Sequence, residues 1–125
     1  MIQKEGPGWR LAKDTSRKYF PVLIGGDRWA IELAEPEWNS LLPVIDELVT
    51  QHKELENQLM KEESICLEIG REPWWGCIDG DRESWSLQLI LESKGDESRG
   101  FEAYWPAPAA KAITAAMRIM WDCNE

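Results

Sequence analysis

Histidine, cysteine and basic charge are scarce in this sequence, and each shortage excludes something. There is one histidine, His52, with no second histidine or cysteine at ligand spacing, so no zinc motif is legible. The three cysteines (Cys66, Cys77, Cys123) are an odd number without a Cys-x-x-Cys pair. No Gly-x-Ser-x-Gly or Cys–His relation supplies a partnered nucleophile. "IGGDR" lacks the spacing of either nucleotide fingerprint and leads into a strand pattern. No apolar run approaches the roughly 18–20 residues of a membrane span. "MIQKEGPGW" has no apolar leader, so the expected setting is the cytoplasm, with reduced thiols and no membrane contact. Lys and Arg number 14 against 23 Asp and Glu, a net charge of −9, which opposes broad affinity for nucleic acid. On these absences the chain is expected to be no enzyme and to hold no cofactor or metal.

Tryptophan is abundant. Eight occur in 125 residues, enough for one domain with a real core. After the breaker cluster "GPG", "GWRLAKD" reads as a short strand, and "YFPVLIGGDRWAIELAE" as a hairpin whose glycines supply positive φ. A helix starts near Pro36. Its stripe is Trp38, Leu41, Ile45, Leu48, His52, Leu55 and Leu59, with Pro43 expected to kink or restart it. "SICLEIG", "PWWGCI", "SWSLQLILES" and "RGFEAYW" read as strands. "AAKAITAAMRIMW" is a second amphipathic helix.

Shifting the first half by 72 residues lays Trp29 on Phe101, Ile31 on Ala103, Leu33 on Trp105 and Pro36 on Pro108. Leu41, Ile45 and Leu48 then fall on Ile113, Met117 and Met120. Two pseudo-repeats, about 8–60 and 64–122, are therefore expected within one domain. The fold class is α+β: an antiparallel sheet of about six to seven strands with both helices on one face. "EGPGWRLAKD", "FPVLIGGDRWAIELAEPEW", "PWWGCIDGD" and "FEAYWPAPAAKAITAAM" carry a resemblance over essentially the whole chain to an uncharacterised family of small cyanobacterial proteins. That resemblance implies a fold similar to the Whirly-type single-stranded-DNA-binding transcriptional regulators. The basic Lys-Gly-Lys motif of plant Whirly proteins has no counterpart here.

The candidate contact surface follows from "WW". Successive strand residues point to opposite faces, so Trp74 and Trp75 part company. The phase that puts Trp74 and Ile78 inside turns Trp75 outward. Cys66, Ser84, Ser86, Glu102 and Tyr104 are expected on the same outer face. Trp29, Trp38, Trp85, Trp105 and Trp121 are expected in the core. The leading functional expectation is a non-enzymatic module for a protein partner or a second copy, because large aromatics dominate interface energy.

The alternative is single-stranded nucleic-acid binding. Residues 1–28 hold six basic and three acidic groups (net +3), and the remainder nets −12. Bases would stack on Trp9 or Tyr19 while Arg10, Lys13, Arg17 and Lys18 neutralise phosphates. "DGD" (79–81) fails as a calcium loop: counting from Asp79, the sixth position is Ser84 and the twelfth Ile90. It reads as a turn. His52, in the apolar stripe, reads as a packed side chain. Cys66 and Cys77 lie on consecutive strands as possible cross-strand neighbours.

Overall fold

The "GPG" cluster is a hairpin turn. Pro7 and Gly8 occupy the two central positions, and Gly8 takes φ 80°, as a type II turn requires. The turn joins β1 (Ile2–Gly6) to β2 (Trp9–Lys13), with Gly6 opposite Trp9. Reading the cluster as a breaker hides β1. The computed structural model describes residues 1–96 and 98–121, so Cys123 lies outside the described residues.

β3 (Val22–Gly25) and β4 (Ala30–Leu33) complete a four-stranded antiparallel sheet in chain order. α1 (Glu35–Glu56) follows. A second antiparallel sheet is formed by β5 (Ile65–Arg71), β6 (Trp74–Gly80), β7 (Trp85–Leu91) and β8 (Phe101–Trp105), and α2 (Ala109–Trp121) follows it. The α+β class stands. The expectation of one sheet of six to seven strands does not: the described residues form eight strands in two sheets. Period-two patterning says which residues face inward, but not which strands share a sheet.

The helices cross over. α1 packs on β5 and β6, the sheet that follows it, while α2 packs on β1 and β2 as well as on β7. They do not cover one face of one sheet. At Gly76 an added Cβ would lie 2.8 Å from Leu48 Cδ1 and 3.0 Å from Val44 Cγ1, so glycine is what lets α1 approach β6.

Pro43 neither ends nor restarts α1, which runs unbroken from Glu35 to Glu56. At its start Glu37 Oε1 accepts from the Ala34 N–H (2.8 Å), tying off the helix entry. The "GGD" glycines are not used for positive φ, which among the glycines occurs only at Gly8, Gly80 and Gly95. Gly26 instead makes room for the Trp29 ring, whose Cε2 would lie 2.6 Å from an added Cβ.

One apolar cluster draws on both halves, from Leu11, Ile24 and Leu33 to Trp74, Leu89 and Trp105. Trp105 Nε1 donates to the Gly25 carbonyl (2.9 Å), joining the sheets. Trp29 and Phe101, the pair matched by the 72-residue shift, touch with ring centroids 5.6 Å apart. Leu41, Ile45 and Leu48 are buried, as are Ile113, Met117 and Met120. Two of the expected core tryptophans differ. Trp29 is half-buried, and Trp121 is 45% exposed, since the stripe buried from Ile113 through Met117 to Met120 leaves the neighbouring position on α2 turned aside.

Candidate functional site

Alternation along the second sheet sorts its residues into two faces. Trp74, Gly76 and Ile78 are buried inward, and the Trp74 indole N–H donates to the Glu37 carbonyl (2.9 Å). Trp75 therefore faces out, half-buried, between Gly70 and Ile90. On the same face Cys77 pairs with Gln88, which pairs with Tyr104, and Ile90 pairs with Glu102. Tyr104 is 54% exposed. Glu68, Asp79 and Glu102 add carboxylates. The structure thus brings Trp75, Tyr104, Ser86, Glu102 and Cys66 onto one surface. Ser84 is not part of it: it lies in the β6–β7 turn, where its N–H donates to Asp81 Oδ1 (2.7 Å).

That turn settles "DGD". Asp81 Oδ1 also accepts from the Glu83 N–H (2.9 Å), and these two donors hold the Asp81 carboxyl below its usual range. Asp79 points out from β6 opposite Ser86. Gly80 is required because an added Cβ would lie 2.6 Å from Trp85 Cα. The carboxylates serve a turn and a strand face rather than a shared loop.

His52 is 5% exposed, with its Nε2 3.0 Å from the Asp81 carbonyl and its ring 5.4 Å from that of Trp85. A carbonyl only accepts, so Nε2 carries the proton. The ring pins α1 to the β6–β7 turn.

Cys66 and Cys77 do meet. Their sulfurs lie 3.6 Å apart, and both are free thiols. The Glu68 carboxylate joins them, with all three donor atoms within 4.8 Å of one another. Cys66 is exposed and Cys77 buried. Burial, with Cys66, Glu68 and Asp79 adding to it, pushes the Cys77 thiol up to about 12.

The expected nucleic-acid edge is divided. Trp9 and Lys13 share a phase of β2 with buried Leu11, and Arg10 takes the other. Arg10 donates to the Trp29 carbonyl (3.2 Å). Arg17, in the β2–β3 connection, pairs with Glu32 of β4, and in the same connection Lys18 lies 5.4 Å from the ring of exposed Tyr19. A concavity of about 500 Å³ on this sheet is lined by Gln3, Lys4, Glu5, Arg10, Ala12 and Leu23, with Leu11.

A second concavity, of about 280 Å³, went unnoticed in the sequence. Lys53 of α1, Arg82 of the β6–β7 turn, and Lys111 and Arg118 of α2 line it beside His52 and Trp85, with Glu56 the one acid in the lining among the described residues. Arg118 is tied to Asp46 (3.1 Å). These cations lie 7 to 29 residues apart in the stretch that nets −12, so no local pattern announces them.

The chain belongs to the family described as Domain of unknown function (DUF1818), whose model matches residues 4–120. It is similar to a crystal structure of a protein with unknown function from the DUF155 family from Prochlorococcus sp. NATL2A. The identity is 49% and the TM-score 0.91, covering 98% of this chain and 100% of that one. No curated protein matches the chain.

Proposed function

We propose that this chain is a non-enzymatic binding module of the cytoplasm that docks a basic protein partner on the outer face of β5–β8. The observation that carries this reading is that Trp75 and Tyr104 stand on the sheet face turned away from the helices, among the carboxylates of Glu68, Asp79 and Glu102. Aromatic anchors supply contact area, and the acidic surround selects cationic partners and speeds encounter. A second copy is a poorer occupant, since isologous pairing brings like carboxylates together. The test is the fluorescence anisotropy of a labelled arginine-rich peptide with the purified chain at low salt. Binding should weaken with salt and fall on Trp75→Ala and on Glu102→Lys. Equal binding by these variants, or sedimentation as a dimer through this face, overturns it.

A second reading is single-stranded nucleic-acid binding on a Whirly-like fold. The order of four strands and a helix, met twice, supports that topology. The concavity bearing Lys4 and Arg10, with exposed Tyr19 nearby in sequence, supports a strand-binding surface. A labelled single-stranded oligonucleotide at low salt tests it. No binding at micromolar protein counts against it, and binding with a steep salt slope favours it.

A further inference from the structure

We propose that Cys66, Glu68 and Cys77 form a binding site for a thiophilic divalent cation of the zinc class on the outer face of β5 and β6. The inference is independent of the docking reading. A site of this kind needs donors held by rigid elements at the spacing of a coordination polyhedron. The spacing fits. A tetrahedral ion with metal–sulfur bonds of about 2.3 Å sets its two sulfurs about 3.8 Å apart. The sulfurs of Cys66 and Cys77 are already 3.6 Å apart. The Glu68 carboxylate lies within 4.8 Å of both, so small side-chain rotations bring the three to one ion.

The backbone holds this arrangement. Glu68 is the direct cross-strand partner of Cys77, and Cys66 is its diagonal neighbour on the same face. A slip of one residue would turn the set to opposite faces, and the burial of Trp74 and Ile78 fixes the register against it. Exposed Cys66 gives the ion an entry, and buried Cys77 closes the inner side. The fourth position falls to water or to Asp79, the cross-strand partner of Cys66.

Two sulfurs among three donors select a soft or borderline ion over calcium or magnesium, which take oxygen sets. The balance is simple. Each thiol releases its proton to solvent as its sulfur bonds the ion, while Glu68 enters as a carboxylate. One divalent ion therefore binds with the release of two protons and no electron transfer. The filled site carries one net negative charge before any fourth ligand.

Cobalt(II) serves as the probe, added to the reduced protein without oxygen. The expected result is a one-to-one complex with thiolate-to-cobalt charge-transfer absorption in the near ultraviolet and intense tetrahedral ligand-field bands. Zinc should displace the cobalt, following the affinity order. Cys66→Ser should remove most of the charge-transfer intensity, and Glu68→Gln should weaken binding about tenfold or more. Cys123→Ser should leave both unchanged. In the unmodified chain, zinc should protect exposed Cys66 from alkylation, mapped by mass spectrometry, and leave the labelling of Cys123 unchanged. Absence of the bands at stoichiometric cobalt overturns the proposal. So does their survival in Cys66→Ser, their loss in Cys123→Ser, or alkylation of Cys66 that zinc does not slow. The protection measurement needs no variant and decides the matter even if a substitution unfolds the chain.

Discussion

The outer faces of the two sheets treat their charges differently. Around β1–β4 two of the cations are held locally: Arg10 donates to the Trp29 carbonyl, and Arg17 of the β2–β3 connection pairs with Glu32 of β4. On β5–β8 the carboxylates of Glu68, Asp79 and Glu102 have no ion pair among the described residues, and two thiols and two aromatics stand between them. Inward, the halves agree. Leu41, Ile45 and Leu48 are buried like Ile113, Met117 and Met120, 72 residues later. One phase of each strand is constrained by a shared core, and the other is free to diverge. The divergent phase is where function should be sought.

A shared core makes the two halves unfold together. Trp105 is fully buried in the common cluster and donates to Gly25 of the other sheet. Trp105→Ala should destabilise the chain by about 3–5 kcal/mol. Urea unfolding followed by circular dichroism and by fluorescence should remain one coincident transition. Two separated transitions would show that each half has a core of its own.

Matched positions of the two halves also tolerate bulk differently. Gly76 has Leu48 and Val44 over it, whereas the position 72 residues earlier is Lys4, half-buried on the edge strand β1. Gly76→Val should cost about 1–3 kcal/mol through overpacking. Lys4→Val should stay within about 0.5 kcal/mol, as substitutions outside a packed core usually do. Equal effects would mean that α1 does not sit on β6 as closely as described.

Arg99 tests the tie between halves. Its guanidinium donates to the Glu32 carbonyl (2.6 Å) and to Glu37, and stacks over Phe20 at 4.8 Å. Arg99→Ala should cost about 1.5 kcal/mol, the low end for hydrogen bonds to charged groups, because the side chain keeps partial contact with water. Arg99→Lys should recover little, since a point charge cannot reach both acceptors with a planar fork.

How much of this could be read beforehand depends on the range of the signal. Periodicity of three and four placed Leu41 through Leu48 on one helix face, and periodicity of two separated Trp74 from Trp75. Asp-Gly-Asp signalled a nearby turn, but only Asp81 enters it, while Asp79 and Gly80 belong to β6. What failed was long-range. "GPG" says that the chain turns, but whether β1 returns to pair with β2 depends on partners outside the motif. Inward phase does not say how many sheets share a core, so eight strands in two sheets were expected as six to seven in one. Trp121 follows Met120, the last residue of the buried stripe, and is turned aside from it. The cations at 53, 82, 111 and 118 become neighbours only after α1, α2 and the β6–β7 turn have assembled.

The smallest expected effect on stability is at Trp75, and it is the most informative about the outward phase. Its ring lies between Gly70, which offers no side chain, and Ile90, a β-branched partner. An aromatic–β-branched cross-strand pair contributes roughly 0.2–1 kcal/mol. Trp75→Ala should therefore shift the urea midpoint only slightly, while Trp74→Ala one residue earlier should cost about 3–5 kcal/mol, since that ring fills the core. If both substitutions are costly, the Trp75 ring supports the fold and its half-exposure is incidental. If only Trp74 is costly, the chain keeps a large indole on its outer face for little structural return. Loss of arginine-rich-peptide binding in a Trp75→Ala chain of near-normal stability would then assign that indole to contact rather than to folding.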